Sequence, residues 1–216
     1  MRDPVAIFLG EGLDFMVRAG LRGVWVDGDP PQGPTVWAAN HHSWWDPFVA
    51  HVLFRRAGRE GGLMMDDDNL RAVGFLRRLG VVGTKEMDAA LELVRRGRVV
   101  VMFPEGELLP AGPPGPLRRG AARLAVDAPA TLLAAAVRVS VRGHQAAEAY
   151  VRVRPVDCTG GVDAATERLA EALRAGLAEI DAAIARTDPR SPLPGYRRVV
   201  RGRRSWDERI ASGLDR

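Results

Sequence analysis

The stretch Val99-Val100-Val101-Met102-Phe103-Pro104-Glu105-Gly106 decides the fold class of this chain. Its first five residues form a continuous apolar run rich in β-branched side chains, which is typical of a strand buried on both faces of a sheet. The proline and the glycine that follow predict a turn at the end of the strand. Helices that alternate with such strands along the chain would make an α/β domain.

Outward from this strand, apolar periodicity and turn residues predict that helices and strands alternate. We predict helices over 4–21, 46–56, 68–79, 87–96, 119–126 and 162–184. We predict strands over 24–26, 35–39, 63–65, 81–82, 99–103, 131–139 and 150–156, with a Pro- and Gly-rich loop over 106–116. The expected architecture is one α/β domain in which helices surround a mixed, buried sheet. It would span 23–188, between an N-terminal amphipathic helix in 1–22 and a basic, solvated tail in 189–216.

Length and composition place the chain among globular proteins. It has 216 residues, a length typical of one domain. The net charge of +4 comes almost entirely from arginine, since Lys85 is the only lysine. This modest excess favours anionic partners but specifies none. The single cysteine, Cys158, excludes a disulfide within the chain and fits a reducing compartment. We expect no secretory signal, because Glu11 and Asp14 break the N-terminal apolar run. We expect no membrane-spanning helix, because no run of 18 apolar residues occurs.

The predicted helix over 4–21 has an apolar face wider than packing against a core requires. It is consistent with a helix packed on the domain and equally with a helix partly sunk into a membrane interface. Trp44 and Trp45 are likewise consistent with aromatic packing or with anchoring at an interface. The arginine-rich segment after Pro189 would add an electrostatic anchor to a membrane.

A polar stretch, Asn40-His41-His42-Ser43-Trp44-Trp45-Asp46, lies between a predicted strand and a predicted helix, where loops present functional side chains. His41 and Asp46 are five residues apart across a turn, so the carboxylate can fold back onto the imidazole. Such a carboxylate fixes the tautomer of the ring and stabilises its protonated form. The free ring nitrogen then accepts a proton from a hydroxyl. The stretch therefore predicts a general base, His41, with Asp46 as its partner.

The turn at Phe103 to Gly106 is the second candidate site. A strand that ends in a Gly-containing turn brings backbone N–H groups to the surface, where they can hold a phosphate or a developing oxyanion. Two other interpretations stay open. Asp46 before Pro47 suits a helix cap. His41, His42 and Asp46 form a set of ligands that binds iron or zinc in other proteins, although adjacent histidines on extended chain point in opposite directions.

Both stretches resemble motifs of the glycerophospholipid acyltransferase superfamily. The segment from His41 to Asp46 matches its H-x-x-x-x-D motif, within the fuller form N-H-x-S-x-x-D. The segment from Phe103 to Gly106 resembles its F-P-E-G motif, and the distance between the two blocks is also similar. The resemblance covers about 24–157 and rests on both motifs occurring in this order and context.

The resemblance implies a glycerol-3-phosphate acyltransferase-like fold and transfer of a fatty acyl chain to a lipid hydroxyl, with the chain in an apolar groove. The donor would be a thioester of coenzyme A or of acyl-carrier protein, and no cofactor, metal or covalent enzyme intermediate is implied. His41 would be the base and Asp46 its support. The acceptor and the oxyanion would be held by Asn40, Ser43, Phe103, Pro104, Glu105, Gly106, Lys85 and Arg119.

Partners would be the acyl thioester, the lipid acceptor and a membrane surface, without nucleic acid. The enzyme would sit peripherally on the cytoplasmic face of the membrane and serve phospholipid biosynthesis. Two alternatives keep the fold but change the activity. One is a membrane-surface lipid-binding protein without catalysis, and the other is a thioesterase that uses water as the acceptor.

The chain departs from the family where enzymes acting on glycerol phosphates usually carry arginine. The block over 80–86 offers only Lys85, which lacks the bidentate fork of a guanidinium. Directly after Gly106 stand Glu107 and two leucines, and a carboxylate there would repel a phosphate. Unless Arg118 or Arg119 folds back to compensate, these residues predict a neutral or weakly charged acceptor, such as a glycosylated lipid.

Overall fold

Strands and helices alternate in the computed structural model, which describes residues 3–214 and the side chains of residues 3–210. The strands are β1 (Leu21–Asp27), β2 (Thr35–Ala39), β3 (Gly61–Met65), β4 (Val81–Gly83), β5 (Val99–Met102), β6 (Thr131–Ser140), β7 (Ala147–Val156) and β8 (Arg197–Arg201). The helices are α1 (Pro4–Gly20), α2 (Asp46–Arg56), α3 (Asp67–Ala72), α4 (Met87–Arg95), α5 (Gly120–Asp127), α6 (Gly161–Arg186) and α7 (Trp206–Leu214). Residues 1–2 and 215–216 of the predicted terminal segments lie outside the described residues.

All eight strands belong to one sheet, in the order β4-β3-β5-β2-β6-β7-β1-β8. The first five strands of this order run parallel. β7 is antiparallel to β6, β1 is parallel to β7, and β8 is antiparallel to β1. The prediction of one α/β domain with a mixed sheet is therefore confirmed. Because β2 and β5 are parallel neighbours, the two motifs that follow them emerge at the same edge of the sheet.

Helices cover both faces of the sheet. Along β5, Val99 and Val101 pack into the cluster shared with α1 and α2. Val100 and Met102 pack into the opposite cluster, with α4, α5 and α6. Successive side chains of a strand point to opposite faces, so the continuous apolar run predicted to be buried on both faces is indeed covered on both.

The prediction of one helix over 68–79 is wrong in part, because the segment breaks at Val73. Helix α3 ends before that residue, whose backbone leaves the helical region at φ −123° and ψ 38°. A 3-10 helix then runs over Gly74–Leu79 and ends at Gly80, which has a left-handed φ of 84°. Glycine has low helix propensity, so Gly74 is a natural point for the break.

The segment predicted as a solvated basic tail contributes the edge strand β8 and the helix α7. Strand β8 pairs antiparallel with β1, and its Val200 is buried in the cluster beneath α1 and α2. The exposed arginines on either side of this valine suit an edge strand, since edge charges discourage pairing with other chains. Arg22 of β1 bonds to Glu208 of α7 at 2.8 Å, which ties that helix to the sheet.

Candidate functional site

His41 and Asp46 form a hydrogen-bonded pair in the loop between β2 and α2. The His41 Nδ1 lies 3.1 Å from Asp46 Oδ2. The same oxygen accepts the backbone N–H of His42 at 2.9 Å and that of Ser43 at 2.8 Å. An ionised carboxylate only accepts, so the proton of a neutral His41 sits on Nδ1 and its Nε2 keeps a lone pair. The His41 side chain is 22% exposed, whereas Asp46 is buried.

Asp46 does not cap helix α2, so the helix-cap interpretation is wrong. Trp45 occupies the cap position and makes no side-chain cap bond, while Asp46 is the first residue of the helix. Its carboxylate turns back to the loop, and within residues 3–214 its second oxygen, Oδ1, is buried without a hydrogen-bond partner. A negative charge in the first helical turn is favoured by the helix dipole.

Phe103, directly after β5, stacks on the imidazole of His41. The rings of Phe103 and His41 stack with their centroids 4.3 Å apart and an angle of 20° between their planes. Leu109 donates its backbone N–H to the His41 carbonyl at 2.8 Å. The second motif is therefore brought against the first.

Glu105 lies beneath the site and does not face the acceptor. Its Oε2 accepts the backbone N–H of His41 at 2.6 Å, and its Oε1 accepts that of Gly115 at 2.9 Å. Oε1 also lies 3.0 Å from His42 Nε2, and the whole side chain is buried. The assignment of Glu105 to acceptor or oxyanion binding is corrected: the carboxylate joins the two motifs to the following loop.

Asn40 and Ser43 also support the loop from within. Asn40 is fully buried, and its side chain exchanges two hydrogen bonds with the backbone of Val137 on β6, at 2.7 and 3.1 Å. The Asn40 side chain thus replaces the backbone hydrogen bonds between β2 and β6 one residue beyond the end of β2. The Ser43 hydroxyl accepts the N–H of Trp45 at 3.2 Å. The Asn40 amide is used in these bonds to β6, which corrects its assignment to binding of the acceptor or oxyanion.

His42 points away from His41 and is enclosed by Arg138 of β6. The Arg138 Nη1 lies 2.7 Å from His42 Nδ1, while Glu105 takes the other ring nitrogen. Both nitrogens of His42 are thus engaged away from the pair, which contradicts a metal set of His41, His42 and Asp46. No group of three His, Cys, Asp or Glu side chains in the described part of the chain is placed to hold a metal ion.

The turn at Phe103–Gly106 carries Arg118 rather than Arg119. Gly106 has a φ of 81° and donates its N–H to the Phe103 carbonyl at 3.0 Å, so this N–H is not free for an oxyanion. A Cβ on Gly106 would lie 2.5 Å from the guanidinium carbon of Arg118. Arg118 also donates its backbone N–H to Pro104 at 2.7 Å, and its exposed side chain has no ion-pair partner among the described residues.

Arg119 and Lys85 do not reach this turn. Arg119 pairs with Asp163 at the start of α6, with 2.7 Å between Nε and Oδ1, which corrects its assignment to the acceptor site. Lys85 is exposed after the edge strand β4, with β3 and β5 between that strand and β2. Three inter-strand spacings of ~4.8 Å separate β4 by roughly 14 Å from β2, the strand that precedes His41.

An apolar groove begins one residue after Asp46, at Pro47 and Phe48. It encloses about 570 Å³ of empty space, part of it open to solvent. Its walls come from α1, α2, the 3-10 helix and three strands: Leu13, Pro47, Phe48, His51, Phe54, Gly61, Gly62, Leu63, Met65, Leu76, Leu79, Val81 and Val101. His51 is the one ionisable side chain of this lining. Burial, followed by the nearby charge of Arg55, lowers the pKa of His51 below its ordinary value.

Comparison with known proteins identifies the class. A family model described as Acyltransferase matches residues 26–138, slightly more than half of the chain, so the chain belongs to this family and is an acyltransferase. Its fold is similar to that of the 1-acyl-sn-glycerophosphate (LPA) acyltransferase PlsC from Thermotoga maritima. The TM-score is 0.65 at 18% identity, over 84% of each chain. A search of curated proteins found no significant match.

Proposed function

We propose that this enzyme is an O-acyltransferase that moves a fatty acyl chain from an acyl thioester to a hydroxyl of a lipid acceptor. The observation that carries the proposal is the position of the His41–Asp46 pair, which directly precedes Pro47 and Phe48 of the apolar groove in the chain. A base that must act on one end of a long apolar substrate requires this combination. The donor would be a thioester of coenzyme A or of acyl-carrier protein.

His41 would act as a general base and then as a general acid. Its Nε2 takes the proton of the acceptor hydroxyl while the oxygen attacks the thioester carbonyl. The tetrahedral intermediate collapses with cleavage of the C–S bond, and the imidazolium returns its proton to the leaving thiolate. Asp46 stabilises the imidazolium between these two steps. The stacked Phe103 ring holds the imidazole in one orientation throughout.

The acyl chain would lie in the groove between α1, α2 and the 3-10 helix. Each methylene that leaves water contributes about 0.8 kcal/mol to binding. The thioester carbon would then stop near Pro47 and Phe48, next to the catalytic pair. Chain length would be selected by the depth of the groove towards Leu76 and Leu79.

The acceptor would present an anionic headgroup to Arg118. The sequence predicts a neutral or weakly charged acceptor unless an arginine folds back to the turn, and Arg118 lies against Gly106 in this way. A guanidinium without a carboxylate partner is suited to bidentate binding of a phosphate. We therefore favour a lysophosphatidate-type acceptor, with the neutral glycolipid as the alternative that the experiment must exclude.

A competition assay tests this choice. Lysophosphatidate and a neutral monoacyl glycolipid are offered together with palmitoyl-coenzyme A, and the acylated products are quantified by mass spectrometry. We expect lysophosphatidate to be preferred. Arg118→Ala should raise its KM about 10- to 100-fold, the equivalent of a charge-assisted hydrogen bond of ~1.5–3 kcal/mol.

Arg119→Ala is the matched control, because Arg119 pairs with Asp163 away from the turn. It should leave both KM values near those of the wild type. Preference for the glycolipid, or an equal effect of the two substitutions, would contradict the role of Arg118. Release of free fatty acid in place of either acylated product would identify a thioesterase instead.

The enzyme would work at a membrane surface, where both lipids are dissolved. Several large aromatic side chains near the groove are exposed: Phe8 and Phe15 of α1, Trp44 of the loop between β2 and α2, and Phe75 of the 3-10 helix. Each of these segments also contributes to the groove or packs on a residue that does, since Trp44 lies 4.5 Å from Phe48. Exposed aromatic rings of this kind insert at the boundary between headgroups and acyl chains. None of the described helices has the length and apolar content to cross a bilayer.

A further inference from the structure

Arg138 is an arginine in the interior of the sheet that the reaction described above does not use. It lies on β6, is buried, and is flanked by apolar residues along the strand. Its Nε and Nη2 bond to the two carboxylate oxygens of Asp181 on α6, at 2.7 and 2.8 Å. The same Nη2 donates to the Gly112 carbonyl at 2.5 Å, and Nη1 reaches His42 Nδ1 at 2.7 Å.

These contacts fix the tautomer of His42. A guanidinium has only donors, so His42 Nδ1 must accept from Arg138. The proton of the neutral ring is then on Nε2, where it is donated to Glu105 Oε1 at 3.0 Å. Each contact from Arg138 through His42 to Glu105 thus joins a donor to an acceptor, which is the condition for a buried polar network to be stable.

The network ends at the backbone of the catalytic base. Glu105 Oε2 accepts the N–H of His41 at 2.6 Å, while its Oε1 accepts that of Gly115. Asp181, Arg138, His42 and Glu105 thus form one continuous path from helix α6 to the His41 amide. On the way, the path holds the loop after Gly106 at Gly112 and at Gly115.

We propose that Arg138 is a positioning residue for acyl transfer: anchored by Asp181, it holds His42 and Glu105 so that the His41 imidazole stays aligned with Asp46 and Phe103. It contacts neither the reacting atoms nor the imidazole of His41, and it acts through the backbone of the catalytic loop. This inference rests on the proposed role of His41 as the base. Misplacing a catalytic group by about 1 Å costs up to ~100-fold in rate.

The test compares Arg138→Gln with Arg152→Gln. Arg152 lies on the adjacent strand β7 and makes an ion pair of the same kind, from the sheet to Glu179 of α6, away from the catalytic loop. Steady-state rates are measured with palmitoyl-coenzyme A and the better acceptor from the competition assay. Arg138→Gln should lower kcat about 10- to 100-fold with KM changed less than about threefold. Arg152→Gln should keep kcat while losing a similar amount of thermal stability.

A second pair of variants tests the same network in case Arg138→Gln does not fold. In His42→Gln the amide oxygen can accept from Arg138 while the amide nitrogen donates to Glu105, so both contacts are preserved. His42→Leu removes both with a similar volume. We expect His42→Gln to retain at least about tenfold more kcat than His42→Leu.

The outcomes separate this inference from the proposed function. Equal kcat for Arg138→Gln and Arg152→Gln, or for His42→Gln and His42→Leu, would overturn the positioning role. So would a loss of activity that only follows the folded fraction measured by circular dichroism. If His41→Ala itself retained full turnover, the proposed mechanism would fail, whatever the Arg138 variants showed.

Discussion

At the scale of residues, a single carboxylate oxygen organises the loop between β2 and α2. Asp46 Oδ2 accepts the His41 ring and the N–H groups of His42 and Ser43 at once. The two backbone bonds hold the carboxylate in place whether or not the imidazole is protonated. In the proposed mechanism the Asp46 charge would therefore be oriented before the imidazolium forms, and preorganised electrostatics of this kind lowers a barrier.

Removing either member of this pair should abolish most of the transfer activity. In His41→Ala the general base is lost, and we expect kcat to fall about 10²- to 10⁴-fold. Asp46→Asn should lose activity in a similar range, because the neutral amide no longer stabilises the imidazolium. The measurement is release of free coenzyme A with saturating acceptor. Unchanged melting temperature in His41→Ala is the control, and near-wild-type turnover would refute the mechanism.

The pairing of His41 with Asp46 was predictable from the sequence, but the direction of the neighbouring side chains was not. The spacing of His41 and Asp46 across one turn is a local property, and the sequence predicts their pairing correctly. Asn40 and Glu105 belong to the same motifs, yet their partners, Val137 and Gly115, come from other segments. Arg138 has no motif at all. Its only signal is an arginine within the otherwise apolar run over 132–139.

At the scale of elements, helix α2 joins the loop of His41 and Asp46 to the groove. Its first residue is Asp46, and residues one, two and five positions later line the groove: Pro47, Phe48 and His51. His51 is an ionisable residue in an apolar environment, because the helix places it one turn beyond Pro47. Its buried ring also lies against Gly10 of α1, where a Cβ would come within 3.5 Å of its Nε2.

Burial of His51 should make the stability of the protein depend on pH. Its folded-state pKa is lowered from 6.5, first by burial and then by Arg55. Below pH 6.5 the unfolded chain therefore binds a proton that the folded protein excludes. The free energy of unfolding must fall as the pH decreases through this window and rise as it increases. The free energy of unfolding, measured with urea between pH 5 and 8, should change less steeply with pH in His51→Gln than in the wild type. Parallel curves for both proteins would show that His51 does not contribute.

Elements with local signals were easier to predict than those defined by distant partners. The helices over 46–56 and 162–184 follow from periodicity and from Pro47, and their structural counterparts agree closely. Strand β8 was missed because its valines are few and arginines surround them. Its pairing with β1 joins segments more than 170 residues apart, which no local pattern reveals.

For the molecule as a whole, the exposed aromatic residues predict binding to anionic vesicles. Phe8 and Phe15 are 75% and 74% exposed and lie seven residues apart on one face of α1. Replacing both, together with Trp44, by serine should reduce co-sedimentation with phosphatidylglycerol vesicles about tenfold or more, since each ring buried in the interface contributes ~1.5–3 kcal/mol. Trp206→Ser with Ile210→Ser on the exposed face of α7 is the matched control.

The control should bind like the wild type, and equal loss in both variants would contradict a specific membrane face. Raising the salt concentration tests the second anchor expected from the basic segment over 189–216. Salt shortens the Debye length and so weakens electrostatic attachment. Part of the protein should therefore be released at 1 M salt. If no protein were released, the exposed aromatic residues alone would account for membrane binding.

The position of β1 between β7 and β8 also affects how the chain folds as it leaves the ribosome. Strand β1 is made early, but its first partner, β7, follows about 120 residues later. At synthesis rates of about 5–20 residues per second, the apolar side chains of β1 wait on the order of ten seconds for a neighbour. The parallel core from β2 to β6 has all its strands before β7 emerges. The nascent enzyme therefore passes through a stage in which the strands of that core are complete while β1 still lacks both of its partners, and a chaperone would find β1 accessible.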